Sequence, residues 1–250
     1  MSEYKKQHYL NSQSRDYGNN DQFVTITAQS ITDLKLFRLN TAIIPRTFYT
    51  FNSFNNVLSI QEDVGASFSI TITPGNYDLA TFKTTIEGLL NTASTNSYVY
   101  TLTYSEVTNK ITLSCTGLFQ VLLSGTAQLI LGFSTTSALA LSVSADKVQR
   151  VTSYPECLYI RGNISNDGQY VNQSITSDVI AKVPVSVARN QTIYYENVQE
   201  DFYENKGQNN MYNFYCSYVD INNPAVERVV DFNGADWGVG LEYVLERELN

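Results

Sequence analysis

The sequence predicts an all-β, mainly antiparallel sandwich or barrel that carries one helix. Three observations lead there. The chain has 18 Tyr and 12 Phe among many Thr, Val and Ile, residue types that suit a pleated surface. Short alternating runs recur along it, separated by gaps rich in Asn and Ser, which supply turn conformations. One segment has helical period, and neither a regular strand–helix alternation nor a fixed-period repeat is present, which excludes a doubly wound sheet, a propeller and a solenoid.

Each element has its own reason. Residues 23–27 alternate, and strands are expected at 34–39, 41–44, 57–60 and 67–72. In 67–72, Phe68, Ile70 and Ile72 fall on one face and Ser67, Ser69 and Thr71 on the other. Pro74-Gly75-Asn76 stops that strand. Leu79, Phe82, Ile86, Leu89, Leu90 and Ala93 then recur at three and four residues, with Asp78 in N-cap position, so 78–92 is read as the helix. Its polar face carries Lys83 and Glu87, spaced for an i,i+4 pair. Residues 98–104 and 111–115 pair as a hairpin across 105–110, and 119–123 is a further strand. The stretch 127–133 is apolar and fits either class, while 134–144 reads as a loop. Later strands are expected at 158–160, 179–187, 193–197, 212–219, 228–232 and 239–245, with loops at 166–177 and 200–210.

Composition excludes several functions. Hydrophobic residues make up 43% and charged residues 16%, so the chain is not disordered. The formal charge of −8 argues against nucleic acid as a partner. No apolar run reaches the roughly 18 residues a membrane span needs, so no membrane insertion is expected. Cys115, Cys157 and Cys216 are few, odd in number and widely spaced, which fits reduced buried thiols in a protein made in the cytoplasm.

Reaction chemistry is also scarce. The single histidine, His8, lies in a polar N-terminal stretch, so Ser–His–acid and Cys–His arrangements lack a framework. A calcium loop from Asp231 and Asn233 to Glu242 has Asp236 where glycine is needed and Ala235 where a ligand is needed. The acid pairs Glu62-Asp63 and Glu200-Asp201 read as solvated loop charge, because neighbours on a strand point to opposite faces. Tyr194-Tyr195 and Tyr212-Asn213-Phe214-Tyr215 suit a sugar platform, a sheet core or a subunit contact. No catalytic residue, metal or cofactor is assigned.

Three segments in order carry a family likeness. Asn11-Ser12-Gln13-Ser14-Arg15-Asp16 precedes Phe23-Val24-Thr25-Ile26. Ala42-Ile43-Ile44-Pro45-Arg46-Thr47-Phe48-Tyr49-Thr50-Phe51-Asn52 precedes Asn55-Asn56, then the Pro74-Gly75-Asn76-Tyr77 turn and Leu131-Gly132-Phe133. Asp231-Phe232-Asn233-Gly234-Ala235-Asp236-Trp237 comes last. The set resembles the penton or minor capsid proteins of virophages, Polinton-like viruses and related large DNA viruses.

The resemblance implies a single jelly roll at the five-fold vertices of a double-stranded DNA virus. It implies a homopentamer touching trimers of the major capsid protein and other minor capsid proteins, made in the host cytoplasm and located in the virion. Alternatives are a capsid cement protein and a carbohydrate-binding attachment module. Candidate structural or contact residues are Pro45, which withholds a donor and redirects the chain; the aromatic run Phe48, Tyr49, Phe51 and Phe54; Asn233 and Gly234, suited to a positive-φ turn; and Asp236 with Trp237, the only tryptophan. Residues 1–22 read as an N-terminal arm, frayed or ordered by a neighbour, and 23–250 as the jelly-roll domain. About 66–148 reads as an α+β excursion or a second small subdomain that eight strands do not require.

Overall fold

The alternating runs become strands, and the one amphipathic run becomes the main helix. The computed structural model describes residues 4–26, 34–65, 67–163, 179–198, 203–204 and 211–245. In chain order the strands among them are β1 Tyr4–Asn11, β2 Tyr17–Gly18, β3 Gln22–Ile26, β4 Leu34–Pro45, β5 Val57–Glu62, β6 Ser67–Thr71, β7 Tyr100–Ser105, β8 Lys110–Leu122 and β9 Ala140–Ser144. There follow β10 Cys157–Gly162, β11 Val179–Pro184, β12 Thr192–Glu196, β13 Tyr203–Glu204, β14 Met211–Val219, β15 Glu227–Val229 and β16 Gly238–Leu245. Helix α1 spans Leu79–Ala93, helix α2 Gln128–Leu131, and a 3-10 turn Ser12–Ser14. The chain forms two compact units, one from residues up to Phe48 and from Pro155 onward, the other from Tyr49 to Tyr154.

The first unit is a two-layer sandwich. One sheet has the order β1-β16-β4-β12, with β13 on β4; the other has the order β11-β10-β14-β3-β2, with β15 on β14. Every pairing is antiparallel, and β1 runs along β16 from Tyr4↔Leu245 to Asn11↔Gly238. Early and late strands interleave in both layers, four main strands in each, which is the jelly roll. Phe37, Leu39, Ile193 and Leu241 from one layer, and Phe23, Leu158, Ile160 and Phe214 from the other, are fully buried. Tyr212 on β14 and Tyr243 on β16 perturb each other from opposite sheets; burial pushes the Tyr212 phenol up to about 12.

Several sequence expectations need correction. Residues 4–11 are not part of an arm; they form β1, because β16 supplies a full ladder of partners. Residues 34–45 are one strand with a bulge opposite Gly240/Leu241, and 110–122 are one strand. Part of the loop expected at 134–144 is β9, whose Ser142 and Ser144 pair with Ser114 and Thr112 through hydroxyl contacts of 2.9 and 2.8 Å. The ambiguous stretch 127–133 holds the short helix α2. The loops expected at 166–177 and, apart from β13, 200–210 lie outside the described residues.

The second unit, Tyr49–Tyr154, is α+β. Its sheet has the order β6-β5-β8-β7, with β9 on β8. Asp78 accepts from Thr81 N at 2.7 Å and starts α1, which buries Phe82, Ile86 and Leu90. Glu87 pairs with Lys83 and also accepts from Leu102 N at 2.7 Å, so it ties the helix to β7. Asn91 does the same for Tyr100 N at 2.6 Å.

Glu62 departs from its expected role as solvated charge. It is buried, and its carboxylate receives Ser94 Oγ at 2.6 Å, Thr95 Oγ1 at 2.8 Å, Asn96 N at 2.9 Å and Tyr100 Oη at 3.0 Å. It thereby fixes the end of α1 and the turn into β7 against β5. Burial alone raises its pKa, but the four donors together outweigh burial and hold the carboxyl below its usual range.

A depressed carboxyl contributes stability that is complete above the unfolded-state pKa of about 4.3 and is lost as pH falls through the lower folded value. The second unit is therefore expected to weaken below about pH 4. Glu62→Gln should remove that pH dependence and destabilise the unit by roughly 1–3 kcal/mol at neutral pH. Circular dichroism melts across pH check this; an unchanged acid profile in the variant counts against the lock.

Candidate functional site

The three segments that carry the family likeness meet at a polar knot in the sandwich unit, and the middle one also builds a second knot in the α+β unit. In the sandwich unit, the N-terminal segment comes first. Asn11 Oδ1 accepts from Ser14 N at 2.8 Å and caps the 3-10 turn, and Arg15 Nη1 closes it onto Ser12 O at 2.6 Å. Asp16 Oδ2 accepts from Ile26 N at 2.6 Å and secures the end of β3.

This segment then grips the loop before β16. Ser12 Oγ donates to Asp236 Oδ1 at 2.8 Å and accepts from Trp237 N at 3.1 Å. Asn20 Nδ2 donates to Asp236 Oδ1 at 2.6 Å, while Asn20 O accepts from Trp237 Nε1 at 2.8 Å. Asp21 Oδ1 takes Phe232 N at 2.8 Å. Asn233 and Gly234 both have positive φ, +52° and +80°, so the loop turns tightly there. From the other side, Thr47 Oγ1 donates to Phe232 O at 2.6 Å and Asn233 Nδ2 donates to Thr47 O at 2.7 Å.

Rings fill the space beneath. The Trp237 ring lies 5.1 Å from Phe23 and 5.7 Å from Phe232, and Phe48 lies 6.4 Å from Phe232. All four side chains are buried. Pro45 is the last residue of β4, yet pairing carries on for one more residue, with Arg46 N bonding Gln191 O at 2.8 Å.

The second knot lies wholly in the α+β unit. The Phe51 ring stacks on Phe82 at 5.3 Å with an interplanar angle of 7°, and Tyr77 meets both rings edge-on. Asn76 Oδ1 accepts from Thr50 N at 2.9 Å, and buried Asn55 and Asn56 donate to Thr50 O and Ile72 O. The aromatic run is thus divided among different surroundings. Phe48 and Phe51 are core residues of separate units, while Tyr49 is 41% and Phe54 48% exposed.

Among the described residues no three His, Cys, Asp or Glu side chains cluster as a metal site. His8 stacks edge-on against Tyr243 at 5.1 Å, in the sheet. Tyr194 is exposed, but Tyr212 and Phe214 are buried core, so these three rings form no shared platform. Glu200 and Asp201 lie outside the described residues. Among the described residues no helix is long and apolar enough to cross a membrane.

Sequence reasoning named Tyr194 but missed the exposed patch that it forms with Tyr9 and Ile43. On the outer face of the first sheet, Tyr9 is 73%, Ile43 52% and Tyr194 78% exposed. The register places Ile43 directly opposite Tyr194, with Gly238 and Gly240 of β16 between Ile43 and Tyr9. The Tyr9 ring lies so close over Gly240 that a Cβ there would sit 3.1 Å from it and 2.3 Å from Thr41 Oγ1. The signal was Tyr9 itself, hidden by the polar residues around it.

No known protein-family profile matches the chain, and no curated protein matches it by sequence. A comparison with solved structures finds the selenomethionine-labelled penton protein of mavirus. The match covers 97% of this chain and 99% of that one, with a TM-score of 0.54 at 11% identity. The likeness is one of fold, and it spans both units.

The first knot makes a direct prediction. Trp237→Phe keeps a ring but drops the bond to Asn20 O and should destabilise the sandwich unit by roughly 1–3 kcal/mol. Trp237→Ala should remove about 3–5 kcal/mol. Urea titration followed by circular dichroism measures both; equal midpoints for the two variants would show that the indole is not the keystone.

Proposed function

We propose that the protein is a non-enzymatic structural protein of a virion, a penton-type minor capsid protein that forms icosahedral five-fold vertices. One observation carries the reading: a jelly roll interrupted by an α+β unit matches a virophage penton protein over nearly the full length of both chains. The work of such a protein is done by its outer faces. Closed symmetry repeats one heterologous contact around an axis, and rigid antiparallel sheets hold the contacting residues in place.

The partners proposed are four further copies of the chain, the major capsid protein and other minor capsid proteins. The acidic surface, with a formal charge of −8, disfavours binding to the genome and limits unspecific association.

The test is the mass of the purified protein in solution, together with its presence in particles when co-expressed with a major capsid protein. The expected results are a five-subunit ring and incorporation into particles. A chain that stays single at all concentrations and is absent from particles overturns the assignment.

A further inference from the structure

We infer that copies of this chain join edge to edge, β1 of one copy adding to β12 of the next, so that the first sheet of the sandwich continues from subunit to subunit. This rests on the capsid reading above and names the contact through which the ring closes.

The topology supplies the two edges. In the order β1-β16-β4-β12, β1 pairs only with β16 and β12 only with β4 among the described residues. Ser12 N bonds Trp237 O. Alternation along an antiparallel ladder then gives residues 10, 8 and 6 the bonds to β16 and turns the backbone groups of Asn11, Tyr9 and Gln7 to the open edge. On the far side, Arg46 N bonds Gln191 O and Asn197 N bonds Asn40 O. By the same rule, Thr192, Tyr194 and Glu196 face their open edge. Among the described residues, each edge therefore offers a short row of unpaired donors and acceptors, and such rows add strands.

Direction and charge select the partner. Strands alternate in direction through the sheet, so β1 and β12 are antiparallel to each other. A rotation about an axis along the strands brings β12 of one copy beside β1 of the next with the alternation unbroken. That contact is heterologous, and repetition of it closes a ring. By sequence, β1 contains two lysines and no acid, whereas β12 ends in Glu196 and contains no base. Like charge disfavours pairing of β1 with another β1; opposite charge favours β12.

The exposed tyrosines fix the register. With Tyr9 opposite Tyr194, both rings lie on the outer face of the joined sheet, and Gln7 meets Glu196. A cross-strand aromatic pair is a favourable unit of sheet pairing. It also covers two of the most exposed apolar side chains on that face, while Gly240 leaves room for the Tyr9 ring to lie flat.

Because the outward N–H groups serve no bond among the described residues, proline there is tolerated by the fold. Gln7→Pro and Tyr194→Pro are expected to keep the wild-type circular dichroism and melting behaviour yet lower self-association by about tenfold or more, or tenfold per roughly 1.4 kcal/mol. His8→Pro removes an inward N–H and should disrupt the fold. As a second measurement, a chain carrying Tyr9→Cys and Tyr194→Cys should form disulfide-linked multimers under oxidation that neither single variant forms. If the proline variants are folded and still assemble, or if the paired cysteines stay unlinked in a protein that assembles, the edge contact is wrong and the capsid reading stands. A wild-type chain that is single in solution and missing from particles removes both.

Discussion

The sandwich depends on one buried indole. Trp237 stands where the last strand begins, and its ring spans Phe23 of one layer and Phe232 of the loop that crosses between layers. Its two N–H groups are both satisfied by the N-terminal segment, one by Ser12 Oγ and the other by Asn20 O. The apolar part of the side chain thus excludes water while the polar part specifies which segment covers it. Asp236 adds a charged acceptor to that knot, shared by Ser12 and Asn20. Loss of these bonds leaves buried donors unmatched, which is why short motifs far apart in sequence are all needed at one place.

The fold class and the central strands were legible because their side chains alternate, and α1 because its apolar residues keep a helical period behind an aspartate cap. The first strand was not. Lys5, Lys6, Gln7 and His8 look like a solvated tail, yet edge strands carry polar and charged residues for a physical reason, namely to resist unwanted pairing. The strand β9 was missed for a related cause. Its Ser142 and Ser144 meet hydroxyls of β8, so pairing with a neighbour, rather than β-propensity, makes it a strand.

At the candidate site the spacing misled in another way. Phe48, Tyr49, Phe51 and Phe54 are close in sequence, but the chain leaves one compact unit and enters another between the first two. A strand period does not hold across such a junction. Burial therefore falls on Phe48 and Phe51 and exposure on Tyr49 and Phe54, an outcome no local pattern encodes. Glu62 illustrates the converse. A carboxylate beside Asp63 reads as surface charge until four donors from sequence positions 94–100 are brought to it.

The pairing of β1 with β16, from Tyr4↔Leu245 to Asn11↔Gly238, bears on how the chain comes to be folded. The sandwich cannot close until residue 245 has left the ribosome, because the earliest strand waits for the latest. Contacts of such long sequence separation form slowly. The α+β unit has no such delay, since every strand of its sheet lies between residues 57 and 144. It is free to fold during synthesis while the strands on either side of it in the chain are still unpaired.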